Sequence, residues 1–171
     1  MDHLSLIRAL IIIAICILNF SAFSQEQAEV EPSHHCLYEE KSLTIGIAGP
    51  YSFEIGMVGI NARMYYNVGE TICFGPEYAY FKTDEVEVVD FDFVGHYIFE
   101  TPLAGIYPLA GLNYTIEKEL DHNETLADFG IVFGAGIHRN LKKLTVFTEY
   151  SRVEFGIHDQ FLTAGIMYNF K

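Results

Sequence analysis

Residues 87–99 read EVVDFDFVGHYIF, a pattern with two unlike faces. Val89, Phe91, Phe93, Tyr97 and Phe99 fall on one side of an extended chain, with Gly95 among them; Asp90, Asp92 and His96 fall on the other. A period of two demands a β-strand with two unlike faces. The acidic face cannot be a dry apolar core, and the aromatic face is too continuous for one turned to water.

Working outward, the same alternation recurs from Ser42 to the end. It is cut by turn chemistry into segments 42–48, 56–68, 71–81, 87–99, 104–116, 127–138, 144–152 and 161–170. Eight strands, an even number, predict an all-β, antiparallel, up-and-down barrel. One face collects Ile45, Ile47, Ile60, Met64, Tyr66, Phe74, Leu112, Phe129, Ile131, Phe133, Ile166 and Phe170. The opposite face collects Gly46, Asn61, Arg63, Gly75, Glu77, Gly111, Asn113, Gly134, Gly136, His138, Glu149 and Thr163. A soluble sandwich or lipocalin hides its large apolar face and turns Lys and Glu outward. Here glycine, Asn and a few charges suit a narrow lumen, and bulky side chains suit lipid. Tyr66, Tyr97, Phe99, Tyr168 and Phe170 fall at one set of strand ends, and Tyr78, Tyr80, Tyr114, Phe129 and Tyr150 at the other. These are two aromatic girdles. Connections at 49–55, 82–86, 117–126 and 153–160 are expected to be outer loops, and those near Gly69, Pro102 and 140–143 tight periplasmic turns. Pro76 and Pro108 each remove a ladder donor inside a strand, which predicts a bulge at each.

Composition agrees. The chain has 171 residues with a net charge of −13, half of them apolar, with 14 Gly, 14 Phe, 11 Tyr and no Trp. The length excludes a multidomain enzyme, and the acidity excludes a nucleic-acid binder. Residues 1–24 are expected to be a secretory signal peptide: Arg8, then an apolar run from Ala9 to Leu18, then small residues Ala22 and Ser24 before Gln25. Residues 25–41 are polar, acidic and without period, and are expected to form a periplasmic tail ahead of the barrel domain at 42–171. His34-His35-Cys36 lacks a partner set with zinc spacing, so no metal site is expected.

Further motifs carry a resemblance. Cys73-Phe74-Gly75-Pro76-Glu77-Tyr78, the run from Tyr107 to Tyr114 (YPLAGLNY), Glu149-Tyr150 and the closing Gly165-Ile166-Met167-Tyr168-Asn169-Phe170 resemble the small outer-membrane β-barrel proteins of OmpA/OmpX type. The resemblance covers 42–171 and implies an exported integral protein of a Gram-negative outer membrane, with a porin-like fold. It departs from the family in ending on Lys171 rather than the aromatic. The tethering role of a following peptidoglycan-binding domain is not expected to carry over.

An eight-stranded barrel is filled by its own side chains, and buried charge must be paired. Arg63 and Glu77 on neighbouring strands are therefore expected to form a luminal ion pair, extended by Glu149. Asp90, Asp92, His96 and His138 are expected to form a second polar cluster. Cys36 and Cys73 are an even pair once the leader is removed, and in an oxidising compartment a disulfide between them is expected. Catalysis is not expected: Ser151, Glu149 and His138 share a face, but Ser151 and His138 lie toward opposite ends of their hairpin. No cofactor is implied. The functional reading is a non-enzymatic, monomeric outer-membrane barrel with a structural, adhesive or sensing role at the cell surface. Its acidic outer loops would meet lipopolysaccharide through divalent cations. Two alternatives stay open: a barrel-borne lipid A acyl-chain hydrolase, and a soluble secreted lipid-binding β-barrel.

Overall fold

The computed structural model describes residues 41–101, 104–122, 124–141 and 143–170. The expected signal peptide, the tail as far as residue 40, and Cys36 within it lie outside the described residues. Eight strands follow in chain order: β1 (Leu43–Ser52), β2 (Met57–Val58 and Ile60–Asn67, joined through Gly59) and β3 (Ile72–Lys82). Next come β4 (Val86–Tyr97, continuing as Phe99–Glu100), β5 (Gly105–Glu119) and β6 (Glu124–Leu141). The last are β7 (Leu144–Glu154) and β8 (Asp159–Phe170). Each pairs antiparallel with the next, and β8 closes on β1 from Leu43↔Phe170 to Ser52↔Phe161.

The stagger follows from the register. From Leu43, partners run through Tyr66, Phe74, Gly95, Ala110, Phe133 and Arg152 to Gln160, whose carbonyl accepts the N–H of Phe53. One circuit thus returns to the first strand ten residues further on. With ordinary rise and spacing, that shear tilts the strands by about 40°. Such a barrel is narrow enough for side chains to fill.

The two faces are those read from the alternation. Ile60 and Leu112 on the outer surface are 68% and 66% exposed, whereas Arg63 on the inner is 3% exposed. Both girdles form: Tyr97 packs on Phe99 and Tyr168 on Phe170 at one rim, and Tyr78 packs on Phe91 and Tyr114 on Phe129 toward the other. Gly95 does face outward, and its cross-strand partner is Phe74, whose ring packs between Tyr66 and Phe93.

The prolines are accommodated differently from expectation. No residue is inserted at Pro76 or Pro108, so there is no bulge. Instead the pairing lapses for two residues and resumes in the same register: between Arg63↔Glu77 and Tyr66↔Phe74 around Pro76, and between His96↔Leu109 and Phe99↔Ile106 around Pro108. The second lapse is why β4 breaks at Ile98, whose N–H donates to the Thr71 carbonyl at 2.7 Å instead. A missing donor needs only a local gap in a closed ladder whose register is held on both sides. Pro50 makes a third such gap, so β1 continues to Ser52 where a loop was expected.

Gly75 belongs to the first gap. A Cβ there would stand 1.8 Å from the Met64 carbonyl oxygen, because β2 bends against the bare backbone. Gly75→Ala is therefore expected to cost about 1–3 kcal/mol. Gly95→Ala, whose nearest contact would be 3.8 Å away, should leave stability unchanged. Urea midpoints of the two variants in lipid vesicles check this.

The ends also differ from expectation. Among the described residues the outer connections are short, at 53–56, 83–85, 120–122 and 155–158; most of the expected loop residues are paired strand. The asymmetry lies in strand length. β5 and β6 carry 15 and 18 residues, and their hairpin stays paired to Glu119↔Glu124. About 9–11 residues cross a bilayer, so this hairpin projects beyond it. No described helix is long and apolar enough to span a membrane, a criterion that does not bear on strands.

Candidate functional site

The lumen is the chemically distinctive region, and Arg63 is its centre. Its backbone places it opposite Glu77 on β3 and Gly46 on β1. Nη2 lies 2.9 Å from Glu77 Oε2 and 2.9 Å from Glu149 Oε1, so one cation joins two carboxylates. Glu149 belongs to β7, three strands away around the wall. The guanidinium reaches it past Gly46, where a Cβ would stand 3.1 Å from Arg63 Cγ. Arg63 Nε donates to Asn61 Oδ1 at 2.8 Å, and Asn61 Nδ2 donates to Glu77 Oε2 at 3.2 Å. Tyr65 O–H donates to Glu77, and Tyr107 O–H donates to Glu149 Oε2 at 3.0 Å. The guanidinium carbon sits 4.4 Å from the centre of the Phe147 ring, a cation–π contact that also excludes water. Every carboxylate oxygen in this layer accepts at least one bond, as burial of charge demands. Arg63 Nη1 has no hydrogen-bond partner among the described residues.

The predicted trio Arg63, Glu77 and Glu149 therefore comes together. The predicted cluster of Asp90, Asp92, His96 and His138 does not. Toward the outer mouth, Asn113 Nδ2 donates to Asp92 Oδ1 at 2.8 Å, and Thr115 O–H donates to Asp90. At the other end, His96 Nδ1 lies 3.4 Å from Cys73 Sγ, and its ring packs between Tyr65 and Tyr107. His138 Nε2 lies 3.4 Å from Glu100 Oε1 and stacks on the far part of Tyr107. Sharing a face is not sharing a place: Asp90 and His96 are about 20 Å apart along an extended strand.

The hydrolytic set does not assemble either. Ser151 pairs with Gly134 and His138 with Phe147, four positions apart on the hairpin. No group of three or more His, Cys, Asp or Glu side chains among the described residues is arranged to hold a metal ion.

Sequence reasoning passed over Tyr65, Tyr107 and Phe147, which fill the lumen beside the ion network. Their inward positions follow from the alternation. The signal was the need of two buried carboxylates for neutral donors, which Tyr65 and Tyr107 supply. It also passed over an apolar plug at the outer mouth, where Phe81 and Phe161 stack at 5.7 Å beside buried Val88 and Val153. Beside them lies a cavity of about 40 Å³ lined by Val88, Asp90, Thr115, Val153, Asp159 and Phe161, and toward the hairpin tips a wider cleft of about 280 Å³ lined by Glu54, Glu85, Glu117, Glu119 and Asp121.

Cys73 is fully buried, and its expected partner Cys36 lies outside the described residues. In the folded barrel Cys73 should resist a membrane-impermeant maleimide for hours and react at once in denaturant. Rapid labelling of the folded protein, read by intact mass, would contradict the packed lumen.

A closed barrel with apolar side chains outside and a paired, plugged charge network inside defines a small transmembrane-type β-barrel. Solved structures agree. The N-terminal β-barrel domain of Pseudomonas aeruginosa OprF matches at 14% identity with a TM-score of 0.66, covering 77% of this chain and 98% of that one. Neisserial surface protein A matches at 15% identity and a TM-score of 0.57, covering 75% and 96%. Ail, the attachment invasion locus protein of Yersinia pestis, matches at 16% identity and 0.52, covering 78% and 99%. At these identities the shared property is the fold. No protein-family profile and no curated protein sequence matches the chain.

Proposed function

We propose that the protein is an integral outer-membrane barrel with a structural, adhesive or sensing role at the cell surface and no enzymatic activity. The observation that carries this reading is the outward apolar belt bounded by two aromatic girdles, around a lumen whose charges are already paired. A soluble lipid-binding barrel would need the reverse arrangement. The β2–β3, β4–β5 and β6–β7 turns, with the start of β1 and the end of β8, face the periplasm, and the projecting β5–β6 hairpin faces outward. There the cleft between hairpins is acidic, which suits Ca²⁺ or Mg²⁺ bridging to lipopolysaccharide, with the ion sharing its oxygen ligands between protein and lipid.

Fractionation of cells producing the full chain tests the reading. Recovery in detergent-extracted outer membranes, with a heat-dependent shift on an unboiled gel, is the expected result. Recovery in the detergent-free soluble fraction would overturn it. Planar-bilayer recordings should show no large, stable conductance, since Arg63 and its partners occupy the bore.

A further inference from the structure

At the end that carries the β6–β7 turn, the lipid-facing surface bears a charge inside its apolar pattern. Arg139 takes an outward position on β6 between Ile137 and Leu141, with Val146 of β7 as its partner. Leu144 follows on β7, opposite Tyr168 on β8, whose ring packs on Phe170. Arg139 therefore stands beside the aromatic girdle. Lys143, exposed in the adjoining turn, is held to β8 by its carbonyl, which accepts the Asn169 N–H at 3.2 Å.

Two outward cations at the other rim have carboxylate partners: Lys82 Nζ lies 3.7 Å from Glu87 Oε2, and Arg152 is ion-paired with Glu154, while Lys118 stands on the projecting hairpin opposite Glu87 on β4. Among the described residues, neither Arg139 nor Lys143 has a carboxylate within ion-pair distance. An arginine among Ile137, Leu141 and Val146 is costly in hydrocarbon. It is favourable at the headgroup level when an anion meets it there.

We propose that Arg139 and Lys143 form a seat for the phosphate of an anionic phospholipid in the leaflet at the β6–β7 turn. The acyl chains run from there toward the midplane along Ile137, Val146 and Ile166. The inference rests on the membrane reading above and adds a lipid preference on one sector of the barrel, β6 to β8.

The test uses the full chain folded into bilayer nanodiscs of phosphatidylcholine and phosphatidylglycerol in equal parts, with lipids retained on release counted by native mass spectrometry. The wild type should retain phosphatidylglycerol over phosphatidylcholine by about fivefold for each basic side chain engaged. Arg139→Gln/Lys143→Gln should bring the ratio close to one, while Lys82→Gln should leave it unchanged. Equal retention of the two lipids by the wild type, or an enrichment that survives the double substitution, would overturn the seat. Insertion is read separately by the heat-dependent gel shift in pure phosphatidylcholine. Failure to insert there would overturn the membrane reading and the seat together, whereas insertion without enrichment would overturn the seat alone.

Discussion

Replacing Arg63 with Met is expected to destabilise the barrel by about 3–5 kcal/mol, because two buried carboxylates lose their shared cation. Glu77→Gln should cost far less. Arg63 keeps Glu149 at 2.9 Å in that variant, and the amide still bonds to Tyr65 or Asn61. This asymmetry separates the observed network from a simple Arg63–Glu77 pair, in which either loss would weigh alike. The triple variant Arg63→Met/Glu77→Gln/Glu149→Gln should recover most of the loss, since the penalty comes from charge left unpaired and not from missing attraction. Urea unfolding in vesicles, followed by circular dichroism since the chain has no Trp, measures all three. Equal costs for Arg63→Met and Glu77→Gln would show that Glu149 does not share the guanidinium.

Leu112→Arg should cost about 2–4 kcal/mol in a bilayer, the cost of a cation near the midplane of a barrel wall. Leu126→Arg is the matched comparison. The two leucines are almost equally exposed, 66% and 64%. Leu112 sits on the outward face in the middle of β5, whereas Leu126 sits on the inward side of β6 near its projecting tip, opposite Glu117. Exposure to lipid and exposure to water look alike in the protein alone, and only the surroundings distinguish them. Substitution at Leu126 should change stability by no more than about 0.5 kcal/mol. Equal effects at the two positions would place the bilayer elsewhere on the barrel.

Much of this was legible in the chain. Alternation has a period of two, and a shift of one residue reverses every side chain, so faces are strongly specified wherever one face is apolar. That is why strand number, the outward belt, both girdles and the inward direction of Arg63 and Glu77 could be read from residue order. A tight turn after Asn67 then makes those two residues opposite partners.

Position along and across the bore was not legible. Glu149 meets Arg63 because a stagger of ten residues over eight strands brings β7 to the right height across a lumen cleared by glycine, a property of closure and not of any one segment. The same stagger leaves Asp90 and Asp92 with Asn113 and Thr115 while His96 meets Cys73, although all three share a strand face. The prolines showed where a donor was missing, but whether the ladder bulges or skips depends on what neighbouring strands can hold in register. Which side chains face lipid and which face inward follows from residue order, because that choice is local and binary. Which inward groups meet follows from the closed barrel, because it depends on tilt and closure summed over all eight strands.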